Sequence, residues 1–179
     1  MSHMTFNPTK FKELLLLLAE RSVGDPSFGK TKLNKLLYYI DFTAFGQLES
    51  PVTGATYQHR PYGPVPREIL GAMDQLVAEG ALVVESVQNY MYRQARPVAL
   101  RRPDLSVFSV EELALVDDVL GALKNLTGAA VSELSHMELG WKLSADGERI
   151  PYETVFLGQP VEPTAVDIEF LNRELAGVL

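Results

Sequence analysis

Apolar side chains recur at helical spacing through much of this chain. Phe11, Leu14, Leu15 and Leu18 fall at i, i+3, i+4 and i+7, and Leu33, Leu36, Leu37 and Ile40 repeat the interval. Each set forms one apolar stripe on a helix. Asn7-Pro8 supplies an N-cap and a first-turn proline for the first of these helices. Pro66 is expected to open a third helix with the stripe Ile69, Met73, Leu76 and Val77, ending near Gly80. Ser109 and Glu112 form a capping-box pair ahead of Leu113, Val116, Leu120 and Leu123. A shorter helix is expected between Thr127 and Glu138. Thr164 and Asp167 make a weaker capping pair before a last helix, Ile168 to Leu175.

Strand-like stretches are fewer and shorter. Thr56 to Arg60 is one, and Ala81 to Ser86 with Tyr90 to Ala95 reads as a hairpin about Gln88-Asn89. Tyr152 to Leu157 reads as an edge strand. The expected fold is mainly α, of the α+β kind: a compact bundle of about six helices with a small antiparallel sheet or hairpin. Residues 1–6 read as a disordered start or cloning scar and 7–160 as one domain. Residues 161–179 read as a C-terminal helix, part of that domain or an extension that binds a partner.

The chain has 179 residues, 46% hydrophobic and 22% charged, the balance of a globule able to bury a sizeable core. Its longest apolar run, Leu14 to Ala19, is far too short to cross a bilayer. The start, MSHMTFNPTK, lacks a basic region followed by an apolar stretch, so no leader is expected. The absence of cysteine excludes disulfides, thiol nucleophiles and cysteine zinc sites, and suits the cytoplasm, the expected location. The net charge of −7 is unevenly spread. Residues 1–102 carry 12 Lys and Arg against 9 Asp and Glu, whereas residues 103–179 carry 4 against 14. Such asymmetry suits steering toward charged partners, and equally an unevenly charged solvated face.

One stretch bears on cofactors. Residues 24–31, GDPSFGKT, match the phosphate-cradling pattern G-x-x-x-x-G-K-[ST]. A phosphate loop is delivered by a buried strand, and its N–H groups surround the phosphates at a helix N-terminus. Here the preceding segment has helical spacing, and Pro26 lacks an N–H. The pattern therefore reads as a helix–loop–helix joint with Lys30, Lys32 and Lys35 on the exposed side of the second helix, and no cofactor is expected. His59 and His136 stand far apart without metal-ligand spacing, so no metal is expected either. No G-x-S-x-G elbow occurs, and the pairs Glu111-Glu112 and Asp117-Asp118 point to different sides of a helix. Catalytic residues, and an enzyme, are not expected.

Two segments in order carry a resemblance. The first is KTKLNKLLYYIDF (Lys30 to Phe42) followed by PVTGATYQHRPYGPVPREI (Pro51 to Ile69). The second is ELSHMELGWKL, with Leu134, Ser135, His136 and Trp141. Over roughly residues 8 to 158 the chain resembles the Panacea antitoxin domain, the domain of the SocA antitoxin and of the phage-associated GepA proteins. The matching positions are Lys32, Leu33, Lys35, Leu36, Leu37 and Tyr38, then Val52, Thr53, Gly54 and Tyr57, then Gly63, Pro64 and Val65. Gly140 departs from the pattern, which has proline before the tryptophan.

The resemblance implies an antitoxin that binds its toxin directly, the toxin being encoded by the neighbouring gene, with delivery of the toxin to a cytosolic protease as a variant mechanism. Candidate partner-binding residues are Lys32, Lys35, Tyr39, Arg60, Tyr62, Gly63, Pro64 and Arg67. Leu33, Leu36, Leu37, Tyr38, Thr53, Gly54, His136 and Trp141 are assigned to structure, and Tyr38 and Tyr39 can serve either packing or contact. The acidic C-terminal region, or a helix at 165–176, could cover a basic toxin surface. The competing reading is a winged-helix DNA-binding autoregulator. Lys30, Lys32, Lys35, Arg93, Arg96, Arg101 and Arg102 would then contact operator phosphates. The oligomeric state is not legible.

Overall fold

A computed structural model describes residues 5–89 and 92–157. Helix α1 spans Pro8–Arg21 and opens as its sequence requires, with the Asn7 carboxamide accepting from the Lys10 N–H at 3.0 Å. Its buried side chains exceed one stripe, because Leu14 through Leu18 are all covered. Helix α2, Lys30–Leu48, packs against α1 and against residues 65–66, 92–99, 110–123, 128–136 and 152–156. It is the central helix of the domain. Its buried set includes Lys32, Lys35 and Asp41 beside Leu33, Leu36, Leu37, Tyr38 and Ile40.

The strand expected over Thr56 to Arg60 is only Tyr57–Gln58 (β1), which pairs antiparallel with Val65–Pro66 (β2). Because Pro66 stands opposite Tyr57 in that ladder, it does not open the third helix. That helix, α3, starts later and runs Ile69–Ala78. Ile69, Met73 and Leu76 are buried as the spacing predicts, but Val77 faces solvent. A hairpin follows, Leu82–Asn89 (β3) with Tyr92–Ala99 (β4), in register from Leu82↔Ala99 to Asn89↔Tyr92. Gln88 and Asn89, expected at the turn, stand within this ladder opposite Arg93 and Tyr92.

Helix α4, Val110–Leu123, carries the expected capping box: the Glu112 N–H donates to Ser109 Oγ at 3.1 Å, and the Ser109 N–H donates to Glu112 Oε2 at 2.8 Å. Helix α5, Gly128–His136, is capped by Thr127, and a single turn, α6, covers Leu139–Lys142. Short 3₁₀ segments occupy Leu105–Val107 and Tyr152–Phe156. The last replaces the expected edge strand. Tyr152 turns inward to donate to the Ala55 carbonyl at 2.7 Å, and Thr154 and Leu157 close i→i+3 bonds. The fold is mainly α, with six helices and two small two-stranded antiparallel sheets among the described residues. The helix expected at Ile168 to Leu175 lies outside them. No described helix is long and apolar enough to cross a membrane.

Candidate functional site

The two motif lysines are not on the surface. Lys32 and Lys35 are each 1% exposed, correcting the expectation that they share the exposed side with Lys30. Successive positions on a helix are 100° apart, so Lys30 and Lys32 point in nearly opposite directions, and a central helix has no wholly solvated side. The Lys32 ammonium donates to Asp25 Oδ2 at 2.6 Å, Leu126 O at 2.7 Å and Lys124 O at 3.2 Å. It therefore caps the carbonyl end of α4, where a cation is favoured. Lys35 donates to Pro64 O at 3.1 Å, and burial lowers its pKa to about 8. That amine lies against Gly63, which is held at φ +96°; a Cβ there would fall on Ser135 Oγ and Lys35 Cε. The glycine of the G-P-V turn is thus required by a buried lysine beneath it.

The T-G turn serves a second buried charge. Asp41 accepts from the Thr53 N–H at 2.7 Å, Thr53 Oγ1 at 2.5 Å and the Tyr57 hydroxyl at 2.8 Å. Burial raises its pKa to about 6, although these hydrogen bonds pull the other way. Gly54 has φ +71°, and a Cβ there would stand 2.8 Å from Thr5 O, where the entering chain crosses. Trp141 lies between two imidazole rings. His59 stacks on it at 4.2 Å and 15°, His136 at 4.2 Å and 22°. Its indole N–H donates to Arg60 O at 3.1 Å, and His59 Nδ1 meets Trp141 O at 2.9 Å. Gly140 stands in place of proline because Thr154 and Ile150 fill the space where its Cβ would go.

The first part of the GDPSFGKT stretch presents carbonyls rather than N–H groups. With the end of α1 just before it, it points them at a cation: Arg96 of β4 donates to Asp25 O at 2.7 Å, and to Ser22 O at 2.8 Å and Val23 O at 3.0 Å in the preceding turn, with its guanidinium 5.8 Å from the Phe28 ring centroid. Gln94 adds bonds to Pro26 O at 2.9 Å and Phe28 O at 3.0 Å. Arg101 is held by Glu13 through 2.7 and 2.9 Å bonds, and this pairing keeps the Glu13 pKa below its ordinary value. Of the seven cations nominated for operator phosphates, Lys32, Lys35 and Arg96 are therefore engaged within the fold, and Arg101 is paired with Glu13 at its surface.

Of the remaining three, Lys30 and Arg93 border a concave surface, and Arg102 is not among its lining residues. A groove of about 560 Å³ runs between the hairpin and the N-terminal ends of α2 and α5, lined by Gly29, Lys30, Thr31, Tyr62, Tyr92, Arg93, Thr127 and Gly128 among others. Tyr62 is 77% exposed and Tyr92 52%. None of its described lining residues is Asp or Glu. Two helix N-termini, Lys30 and Arg93 make the groove electropositive, and the tyrosine rings give it apolar walls.

The structure brings together few of the nominated binding residues. Tyr62 lines the groove, the buried Lys32 reaches its wall, and Arg60 and Arg67 are exposed elsewhere. Gly63 and Pro64 are buried under the loop that carries Tyr62, while Tyr39 lines a separate pocket near the other end of α2. Sequence reasoning missed Tyr92 and Thr127 and assigned Arg93 only to DNA, because their meeting depends on how the hairpin folds back over α2. The one available signal is an arginine beside a tyrosine in a hairpin that needs neither for its core.

The family described as antitoxin SocA-like, Panacea domain, matches residues 33–142, from the stripe of α2 to the end of α6. No curated protein and no solved structure matches the chain. The matched span contains the Lys35–Gly63–Pro64 seat, the Asp41–Thr53–Gly54 turn and the His59–Trp141–His136 stack. The chain belongs to the SocA-like antitoxin family, the proteins of the Panacea domain.

Proposed function

We propose that this chain neutralises a protein toxin, encoded by the neighbouring gene, by binding it directly in the cytoplasm through the groove that Tyr62 and Arg93 border. The exposure of Tyr62 in a groove whose described lining holds cations and no carboxylate carries the reading. Tyrosine and arginine are the side chains that most often anchor interfaces, and an aromatic ring left in water gains most by being covered. The positive groove calls for a partner segment with acidic and apolar side chains. The buried polar seats described above support this reading from beneath, because they hold the Tyr62 loop and the start of α2 without using surface residues.

The test is co-expression with the product of the adjacent gene. Growth should be restored, and the two proteins should elute as one stable complex in size-exclusion chromatography. Equal killing in the presence of this chain contradicts the proposal.

A further inference from the structure

A second concavity, of about 270 Å³, opens near the C-terminal half of α2 and has different chemistry. Its walls include Tyr38, Tyr39 and Gln47 from α2, Glu138 and Gly140 around the start of α6, and Thr154 from the last 3₁₀ segment. Glu138 is the one charged residue among its described lining, and no described lysine or arginine pairs with it. The Tyr39 hydroxyl is buried and makes no well-formed hydrogen bond among the described residues, although Glu138 stands near enough to act on it. Buried hydroxyls are almost always partnered, so an orphan at a pocket wall marks where a ligand atom belongs. The Tyr38 and Tyr39 rings meet edge to face at 5.3 Å, which offers electron-rich surface next to the carboxylate. Burial, and then the Glu138 charge, raise the pKa of both hydroxyls, so they stay protonated and neutral at physiological pH.

The geometry points to a binding site for a guanidinium or alkylammonium group. Glu138 accepts its charged N–H donors, the tyrosine rings flank the cation, and the Tyr39 hydroxyl oxygen takes a further N–H. No carboxylate or phosphate ligand suits a pocket whose only described charge is negative. Two sources share this chemistry: the arginine or lysine side chain of a partner polypeptide, and a free small amine.

Calorimetric titration of the full chain separates them. The probes are agmatine, the capped peptide Gly-Arg-Gly, and the same peptide with citrulline in place of arginine. The expected result is saturable binding of a guanidinium probe in the millimolar range and none of the neutral citrulline peptide. Peptide binding at least as tight as agmatine assigns the site to a partner's side chain, and tighter agmatine assigns it to a free amine. Glu138→Gln should weaken the probe at least about tenfold, since a charge-assisted bond is lost. The Glu138 side chain makes no cap bond to α6, so this variant keeps its fold. Tyr39→Phe should leave the melting temperature of the free chain close to that of the wild type while weakening the probe several-fold, a combination that a purely structural hydroxyl does not give. Equal binding of the citrulline peptide, full affinity in Glu138→Gln, or no saturable binding of any probe overturns the inference.

Discussion

Lys32→Met separates an internal cap from a surface contact. Methionine keeps the length of the stem and removes only the ammonium, whose three acceptors are Asp25 Oδ2 and the carbonyls of Lys124 and Leu126. With Lys32 1% exposed, water cannot take the place of the lost donor, and Asp25 is left with only its Ser27 N–H bond at 2.9 Å. Breaking a buried charged pair costs about 3–5 kcal/mol. Asp25 is partly solvated, so the lower end applies, about 3 kcal/mol. For a domain of this size that corresponds to a fall in melting temperature of roughly 6–12 °C. The assay is thermal and urea unfolding followed by circular dichroism, with Asp25→Asn and the double variant completing a cycle. The double variant should lose less than the sum of the singles, because the two side chains stabilise each other. A shift under about 2 °C for Lys32→Met, the size expected for an exposed lysine, refutes the cap. Lys30→Met, at the groove, should leave the melting temperature unchanged.

Two further predictions probe the other buried seats. The folded pKa of Asp41 is raised, to about 6 against an ordinary 3.8, so its contribution to stability is fully present below the ordinary value and is lost as pH rises through about 6. The stability of the wild type relative to Asp41→Asn should therefore grow by up to about 3 kcal/mol between pH 7.5 and 4 in urea titrations, and a flat or shrinking difference contradicts the assignment. Gly63→Ala should cost about 3 kcal/mol, from the positive φ and from displacement of Lys35 and Ser135, and a loss under about 1 kcal/mol in the same assay removes the argument for that turn.

Local chemistry was legible wherever a short pattern carries its own cause. Asn7-Pro8, Ser109 with Glu112 and Thr127 cap the helices whose starts they announce, since a cap involves only a few consecutive residues. The stripe of α2 was legible too, but not the placement of Lys32, Lys35 and Asp41. A polar residue beside an apolar stripe reads as solvated until the number of elements surrounding the helix is known. Tyr152 to Leu157 misled for a related reason. Its aromatic and β-branched residues suit a strand, but the hydroxyl of Tyr152 is drawn inward by Ala55, almost a hundred positions earlier. The groove was the least legible feature. Lys30, Tyr62, Arg93 and Thr127 lie on four separate segments, and only the fold of the hairpin over α2 brings them to one surface.

The central claim is that this antitoxin-family chain meets its toxin through the Tyr62 and Arg93 groove while the motif lysines work within the fold. The most direct measurement is the dissociation constant of the complex with the neighbouring gene's product for the wild type and for Tyr62→Ala with Arg93→Glu. The variant should unfold at the wild-type temperature and bind at least about 30-fold more weakly, the loss expected when an exposed aromatic anchor and its adjacent cation are removed. Unchanged affinity in a variant that folds normally contradicts the account.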